Sequence, residues 1–356
     1  MKVANERLRP FSLIAQVRCR SYSHHLQRAI VDFGADVSFQ DAQKKILEHY
    51  KIELPLNSIQ VIVENHAKNI FEFVEKESFE EGTAQQIVSE MDGSMIPIVD
   101  TAIPKEGKAD KRRCRSLRWQ EARLCFARGA QQLTPVFYAT MGDVERAGDL
   151  LYRAALRVGF GPKTKVHGLG DGARWIEDQM RRVFSKQVKY LVDFYHTSEY
   201  LAKAAEHSWA SQKDEWRRDQ QELLKASKHK EILETIRRRL PVDWETKNEA
   251  RSKKNSKKVV IKEMNVKKKE ETPVEKCYRY IANREDSLDY KGALENDLPI
   301  GSGEIESSHR YVIQKRLKIA GAWWKPETVE YMLSLRTLRA NGDWNRYWNN
   351  NLQKAA

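Results

Sequence analysis

Cysteine is scarce and scattered. The 356-residue chain has four, Cys19, Cys114, Cys125 and Cys277, and no CxxC pair. A structural zinc site needs closely spaced thiolates to fix its tetrahedron, so no zinc finger is expected. Cys114 and Cys125 read instead as small core or surface thiols. Long apolar runs are missing too: none approaches the roughly 18 residues that span a bilayer. The opening MKVANERLRPFSLIAQVRCR has neither the apolar stretch nor the small-residue cleavage site of a secretory signal. There is no internal repeat. These absences argue against a membrane-spanning, secreted or solenoid protein. They lead to an expectation of cytoplasmic location without a membrane partner.

What is abundant is positive charge. Lys and Arg number 63 against 50 Asp and Glu, a net charge of +13. Such a balance favours a polyanionic partner, most simply nucleic acid, with an anionic membrane surface as the rival. The hydrophobic share of 40% and charged share of 32% are those of a folded chain, and the length suits two or three domains.

Residues 38–75 are expected to form two helices around a turn. SFQDAQKKILEHY has helical spacing, Ser38 as N-cap and Asp41 in its first turn. Pro55 interrupts, and a second helix resumes from Asn57 and Ser58. In a basic protein this is a helix-turn-helix signal, with a packed helical hairpin as the alternative. From about residue 86 the period changes. QQIVSEMDGSMIPIVD, SLRWQEARLCFARG and LTPVFYATMG read as three strands, suited to an antiparallel meander. DVERAGDLLYRAALRVG reads as a helix capped by Asp143 and ended by Gly159. A strand ending at Asp171, a helix, the strand QVKYLVDF and another helix complete an α/β alternation, a mixed sheet flanked by helices. Residues 210–298 interrupt it: DEWRRDQQELLKASKHKEILETIRRRL reads as one long helix, the Lys-rich stretch over 247–269 as a basic loop or linker, and EKCYRYIANREDSL as helix. The expected divisions are 1–85, 86–209, 210–298 and 299–356.

Three carboxylates stand out. Asp92 and Asp171 each sit in an Asp-Gly pair placed at the end of a predicted strand. Asp-Gly is also a common turn, but the second pair opens a helix, where α/β sheets place their ligand sites. In LPIGSGEIESSHRYVIQKRLK, at 100° per residue, Glu306 falls in line with Ile313 and Leu317 and is expected to point inward. Glu304 falls with Lys315 and Lys318 and is expected to stay solvated. An inward carboxylate needs a cation, a donor cluster or a metal; for Glu306 a helix-dipole role or a pairing with Arg310 is the alternative. Two aspartates and a glutamate, all hard oxygen ligands, suit two Mg²⁺ ions, or Mn²⁺, of the kind that serve phosphodiester cleavage.

The motifs MDGS at 91–94, GLGDGARWI at 168–176, DFYH at 193–196, and GSGEIESSHR at 301–310 followed by GAWW, together with VDFGADVSFQDAQ near the start, occur in an order that resembles the DDE transposases of bacterial insertion sequences. The ISKra-type group is the most similar, with a layout like that of the Mutator-like and hAT transposases. The resemblance covers roughly residues 20–348. It implies an RNase H-like catalytic domain with an all-α insertion before the last carboxylate, and an N-terminal helix-turn-helix-like region. It maps the catalytic and metal-binding carboxylates to Asp92, Asp171 and Glu306, and places His196 and Asp193 beside the scissile phosphate through the [C/D]xxH signature. Terminal inverted repeats and target DNA are the implied partners. A homo-oligomer, with a dimer favoured, is the implied assembly, in a prokaryotic, nucleoid-associated setting. The chain departs from the group in lacking a cysteine-rich N-terminal zinc-binding segment.

Two mixed patches are candidates for DNA contact. One holds Arg115, Arg118 and Trp119; the other holds Arg310, Lys315, Arg316 and Lys318 with Trp323 and Trp324. Arginine suits phosphate and aromatic rings stack on unpaired bases. A solvated basic strand edge and core tryptophans are the plain alternatives. The expected function is a transposase; an RNase H-like nuclease without strand transfer and a non-catalytic, domesticated DNA-binding protein are the rivals.

Overall fold

The computed structural model describes residues 22–101, 115–241, 244 and 271–353. The Lys-rich 247–269 stretch, Cys19 and Cys114 lie outside these. Among the described residues no helix is long and apolar enough to cross a membrane. The fold is α/β: five strands in the order β3-β2-β1-β4-β5 form one mixed sheet flanked by helices. This layout is compatible with an RNase H-like one.

The strands are β1 (Gln86–Thr101), β2 (Arg115–Gly129), β3 (Val136–Thr140), β4 (Lys165–Gly170) and β5 (Val188–Val192). β1 and β2 form a long antiparallel ribbon in which Asp92 faces Leu124 and Pro97 faces Trp119. β3 continues the meander, with Tyr138 opposite Cys125. Lys165 at the start of β4 donates its N–H to Gln85, just before β1, at 2.9 Å. The two strands therefore begin side by side.

Two compact units are distinguished by their internal contacts. The first comprises Met1–Gly168, Arg174–Val188 and Gly303–Ala356; the second comprises Leu169–Ala173 and Lys189–Ser302. In the first unit the expected helical pair is present as α2 (Phe39–Tyr50) and α3 (Leu56–Glu75), preceded by α1 (His24–Asp36). Ser38 caps α2, its hydroxyl accepting the Asp41 N–H at 3.0 Å. α4 (Val144–Arg157) is capped by Asp143 and packs with α5 (Arg174–Phe184). Gly159 closes α4 at φ +93°, a left-handed turn that only glycine adopts without strain.

The second unit gathers α6 (Phe194–Ser208), α7 (Lys213–Lys225), α8 (His229–Arg237), α9 (Pro273–Ala282) and α10 (Tyr290–Glu295). The single helix expected over 214–240 is two. Ser227 breaks it at φ +58°, and its hydroxyl accepts the Lys291 N–H at 2.9 Å while facing Asp289 at 3.2 Å. That tertiary anchor overrides local helix propensity.

The first unit resumes with α11 (Gly303–Ser308). The helix then widens into a π-helical segment over His309–Gln314 and returns to α geometry over Lys315–Leu317. α12 (Pro326–Ala340) and α13 (Trp344–Gln353) finish the described chain. α12 lies between α3 and β3. Arg336, on α12, donates to the carbonyls of Val312 and Ala35 at 3.1 Å each and pairs with Asp36.

Candidate active site

Asp92 is not at a strand end. It lies in the middle of β1, so the Asp92-Gly93 pair is continuous strand and not a turn. A Cβ at 93 would reach the space of the Glu121 carboxylate on β2, which pairs with Arg123 at 2.5 Å, so that side chain would have to shift. Alternation along β1 sends Glu90, Asp92 and Ser94 to one face. That face meets α11. The Glu90 carboxylate, fully buried, accepts the Ile305 N–H at 3.0 Å near the start of α11, where the helix dipole favours negative charge. Asp92 Oδ1 accepts its neighbour Gly93 N–H at 2.7 Å. Its Oδ2 lies 3.2 Å from Nε2 of the buried His309, within ion-pair distance but outside hydrogen-bonding alignment.

The glutamates of α11 are placed otherwise than their helical phase predicts. Glu306 is exposed, whereas Glu304 is partly buried and binds Arg128 of β2 through both oxygens, at 2.8 and 3.1 Å from Nε. Two physical reasons account for this. The buried stripe runs through Ile305, His309, Val312 and Arg316 as well as Ile313 and Leu317, so its centre is shifted by polar residues that an apolar count omits. The π segment, with i→i+5 bonding, also breaks the 100° phase used to align Glu306 with Ile313 and Leu317. The burial argument for Glu306 therefore falls. Its candidacy rests on its place in GSGEIESSHR and on a carboxylate that a ligand can reach.

In the second unit, Asp171 directly follows β4. Its Oδ1 accepts the Ala173 N–H at 2.7 Å, and Gly172 adopts φ +87°. Asp193 is buried and acts as the N-cap of α6, accepting the His196 N–H at 2.6 Å. Its other oxygen accepts both the N–H of Ser302 and its hydroxyl, the latter at 2.6 Å. The residue expected beside a phosphate is thus committed to joining the start of α6 to the turn that leads into α11. Gly301 fits there because a Cβ would collide with the Tyr195 ring. His196 is half-buried and packs edgewise on Tyr200, with its ring centroid 5.9 Å from that of Tyr280. Burial raises the Tyr280 phenol above its ordinary value, so it remains a donor.

The DNA-facing candidates divide. Arg115, Arg118, Trp119, Arg310, Lys315, Lys318 and Trp323 are exposed. Arg118 pairs with Asp100 at 2.7 Å, and the Arg115 guanidinium lies 4.5 Å over the Trp323 ring. Arg316 and Trp324 are interior and do not belong to that surface. Arg316 donates to the Gly34 carbonyl at 2.8 Å and sits 4.8 Å from the rings of both Phe39 and Trp324. Trp324 donates its indole N–H to Leu317 at 3.0 Å. Burial lowers the Arg316 guanidinium to about 10.

Asp92, Asp171 and Glu306 offer the hard oxygen donors that Mg²⁺ and Mn²⁺ prefer, so their chemistry fits such ions. Among the described residues, however, no group of three or more His, Cys, Asp or Glu side chains is gathered to hold a metal ion. Glu90, His309, Arg128, Tyr280 and Arg284 escaped the sequence reading. His309 sits inside the ESSHR motif and Glu90 two residues before Asp92, and alternation along β1 was the available signal for Glu90. No protein-family model matches the chain, and no curated protein matches it.

Proposed function

We propose that the chain is a DNA transposase that binds the ends of its element, cleaves a strand there and joins the exposed 3′-hydroxyl to target DNA. The observation that carries this reading is that the face of β1 bearing Asp92 meets α11, the helix of the GSGEIESSHR motif that carries Glu306. Asp171 directly follows β4. The net charge of +13 and the exposed basic and aromatic side chains of the first unit support a DNA partner.

In this reading Asp92, Asp171 and Glu306 hold the reacting phosphate's cations. When bound, Mg²⁺ or Mn²⁺ supplies activation of the attacking water or 3′-hydroxyl and neutralises the leaving oxygen. Glu90, through the Ile305 N–H, and the Glu304–Arg128 pair fix the start of α11, and with it the next residue of the motif, Glu306. The buried His309 ring faces the Asp92 oxygen. Exposed Arg310, Lys315 and Lys318 bind phosphates without reading sequence.

The test is cleavage and joining of duplexes taken from the DNA that flanks the coding sequence, in Mg²⁺ and in Mn²⁺. Asp92→Asn, Asp171→Asn and Glu306→Gln should each reduce both reactions by about 10²-fold or more, the scale of losing a group that stabilises developing charge. Folding and DNA binding should persist. Glu304→Gln should be mild. Full activity in any of the three variants sinks the assignment. Cleavage without joining of precut ends identifies a nuclease instead, and DNA binding with neither reaction identifies a non-catalytic binder.

A further inference from the structure

α9, in the helical segment between β5 and α11, reaches back to the Asp171 turn. The Tyr280 hydroxyl donates to the Asp171 carbonyl at 2.9 Å, and Arg284 Nη2 donates to the Gly172 carbonyl at 2.7 Å. The donors come from 109 and 112 residues further along the chain. They are fixed to each other: the Arg284 guanidinium lies 4.0 Å over the Tyr280 ring, and its Nη1 donates to the Tyr280 carbonyl at 3.1 Å. Tyr280 is held from the other side by Tyr200, stacked at 4.0 Å and 16°. The turn is shaped to receive them, since a Cβ at Gly172 would fall 2.7 Å from the Tyr280 oxygen and 2.8 Å from Arg284 Nε.

We infer that Tyr280 and Arg284 are positioning residues for Asp171: Tyr280 fixes the 171–172 peptide plane beside its side chain, and Arg284 fixes the 172–173 plane whose Ala173 N–H its carboxylate accepts. This rests on the assignment of Asp171 to the reaction. A side chain's direction follows its backbone. Each carbonyl of the Asp171–Gly172 pair is taken by a side-chain donor, and the carboxylate itself holds the Ala173 N–H. The helical insertion is thereby part of the apparatus that aims a sheet aspartate. His196, packed against Tyr200 and Tyr280, supports the same stack.

Full-length Tyr280→Phe removes the hydrogen bond to the Asp171 carbonyl and keeps the ring stack; Arg284→Lys keeps the charge and loses the fork. Two readouts test the inference. The first is hydrogen exchange at the Ala173 amide, which reports the Asp171 carboxylate directly; it should quicken about tenfold in Tyr280→Phe, the scale of one lost hydrogen bond. The second is Mn²⁺ affinity from the paramagnetic signal of free ion. It should weaken about 10- to 100-fold, the usual effect of removing a partner behind a metal ligand. Unchanged exchange, or unchanged Mn²⁺ affinity, overturns the inference. If wild type binds Mn²⁺, Asp171→Asn does not and Tyr280→Phe binds like wild type, the positioning role fails while the parent reading stands. A wild-type chain that takes up no Mn²⁺ overturns both.

Discussion

Burial alone would raise the carboxyl of Asp36, but the guanidiniums of Arg339 and Arg336 together outweigh it and hold it below the ordinary carboxylate value. Arg339 lies 3.0 Å from one oxygen and Arg336 pairs with the other. The sign follows. A carboxyl depressed in the folded state contributes stability that is present above its unfolded value of about 3.9 and is lost as pH falls through the lower folded value. Wild type should therefore lose stability as pH falls below about 4, and Asp36→Asn should flatten that limb of a urea-unfolding series. At pH 7 the same variant should be destabilised on the order of 1 kcal/mol, between exposed and buried ion pairs. An unchanged acid limb would remove Asp36 as its cause. Arg336 cannot be read from sequence as an organiser: its partners at positions 35, 36 and 312 are gathered only by folding.

At the scale of elements, α6 and the turn before α11 share one residue. Asp193 caps the first and receives Ser302 from the second. Both of its oxygens accept from backbone N–H groups. Asparagine can supply one such acceptor, but its NH₂ would then face a donor. Asp193→Asn should cost about 1–3 kcal/mol in urea unfolding, the penalty of a buried unpaired polar group. Ser302→Ala, which keeps the backbone donor, should cost less. A stable Asp193→Asn variant that lost only DNA cleavage would return Asp193 to the phosphate. Local signals found most elements here: the change of period near residue 86 marked β1 to β3, and Asp143 and Gly159 marked both ends of α4. They failed where a distant partner decides the outcome. Asp92-Gly93 reads as a turn because the residues it pairs with, Leu124 and Arg123, lie on another strand. Ser227 reads as helix because Asp289 and Lys291 are far along the chain. Glu306 takes the exposed face, against its apolar phase, because His309 and Arg316 bury polar atoms that a hydrophobic count cannot anticipate.

Over the whole molecule, the excess of positive charge was legible from composition, but its division between interior and surface was not. Arg316 and Lys318 are two residues apart in the same patch of sequence, yet only the lysine faces solvent. Their substitutions should therefore differ in kind. Binding to duplex DNA is expected to weaken with salt, the logarithm of affinity falling by about 0.9 per phosphate contact for each logarithmic unit of salt. Lys315→Ala and Lys318→Ala should each lower that slope by about one contact and weaken binding to all sequences alike. Arg316→Ala removes a donor to the Gly34 carbonyl and a cation lying near two aromatic rings. It should lower the unfolding midpoint, and at temperatures where it stays folded it should leave the slope unchanged. Fluorescence anisotropy of a labelled duplex between about 50 and 200 mM salt, a range over which 6–10 phosphate contacts cost about 10³- to 10⁵-fold in affinity, reads both quantities. A slope unaltered in the lysine variants would detach this surface from DNA. A slope altered by Arg316→Ala at full stability would mean that the guanidinium leaves its pocket to meet phosphate.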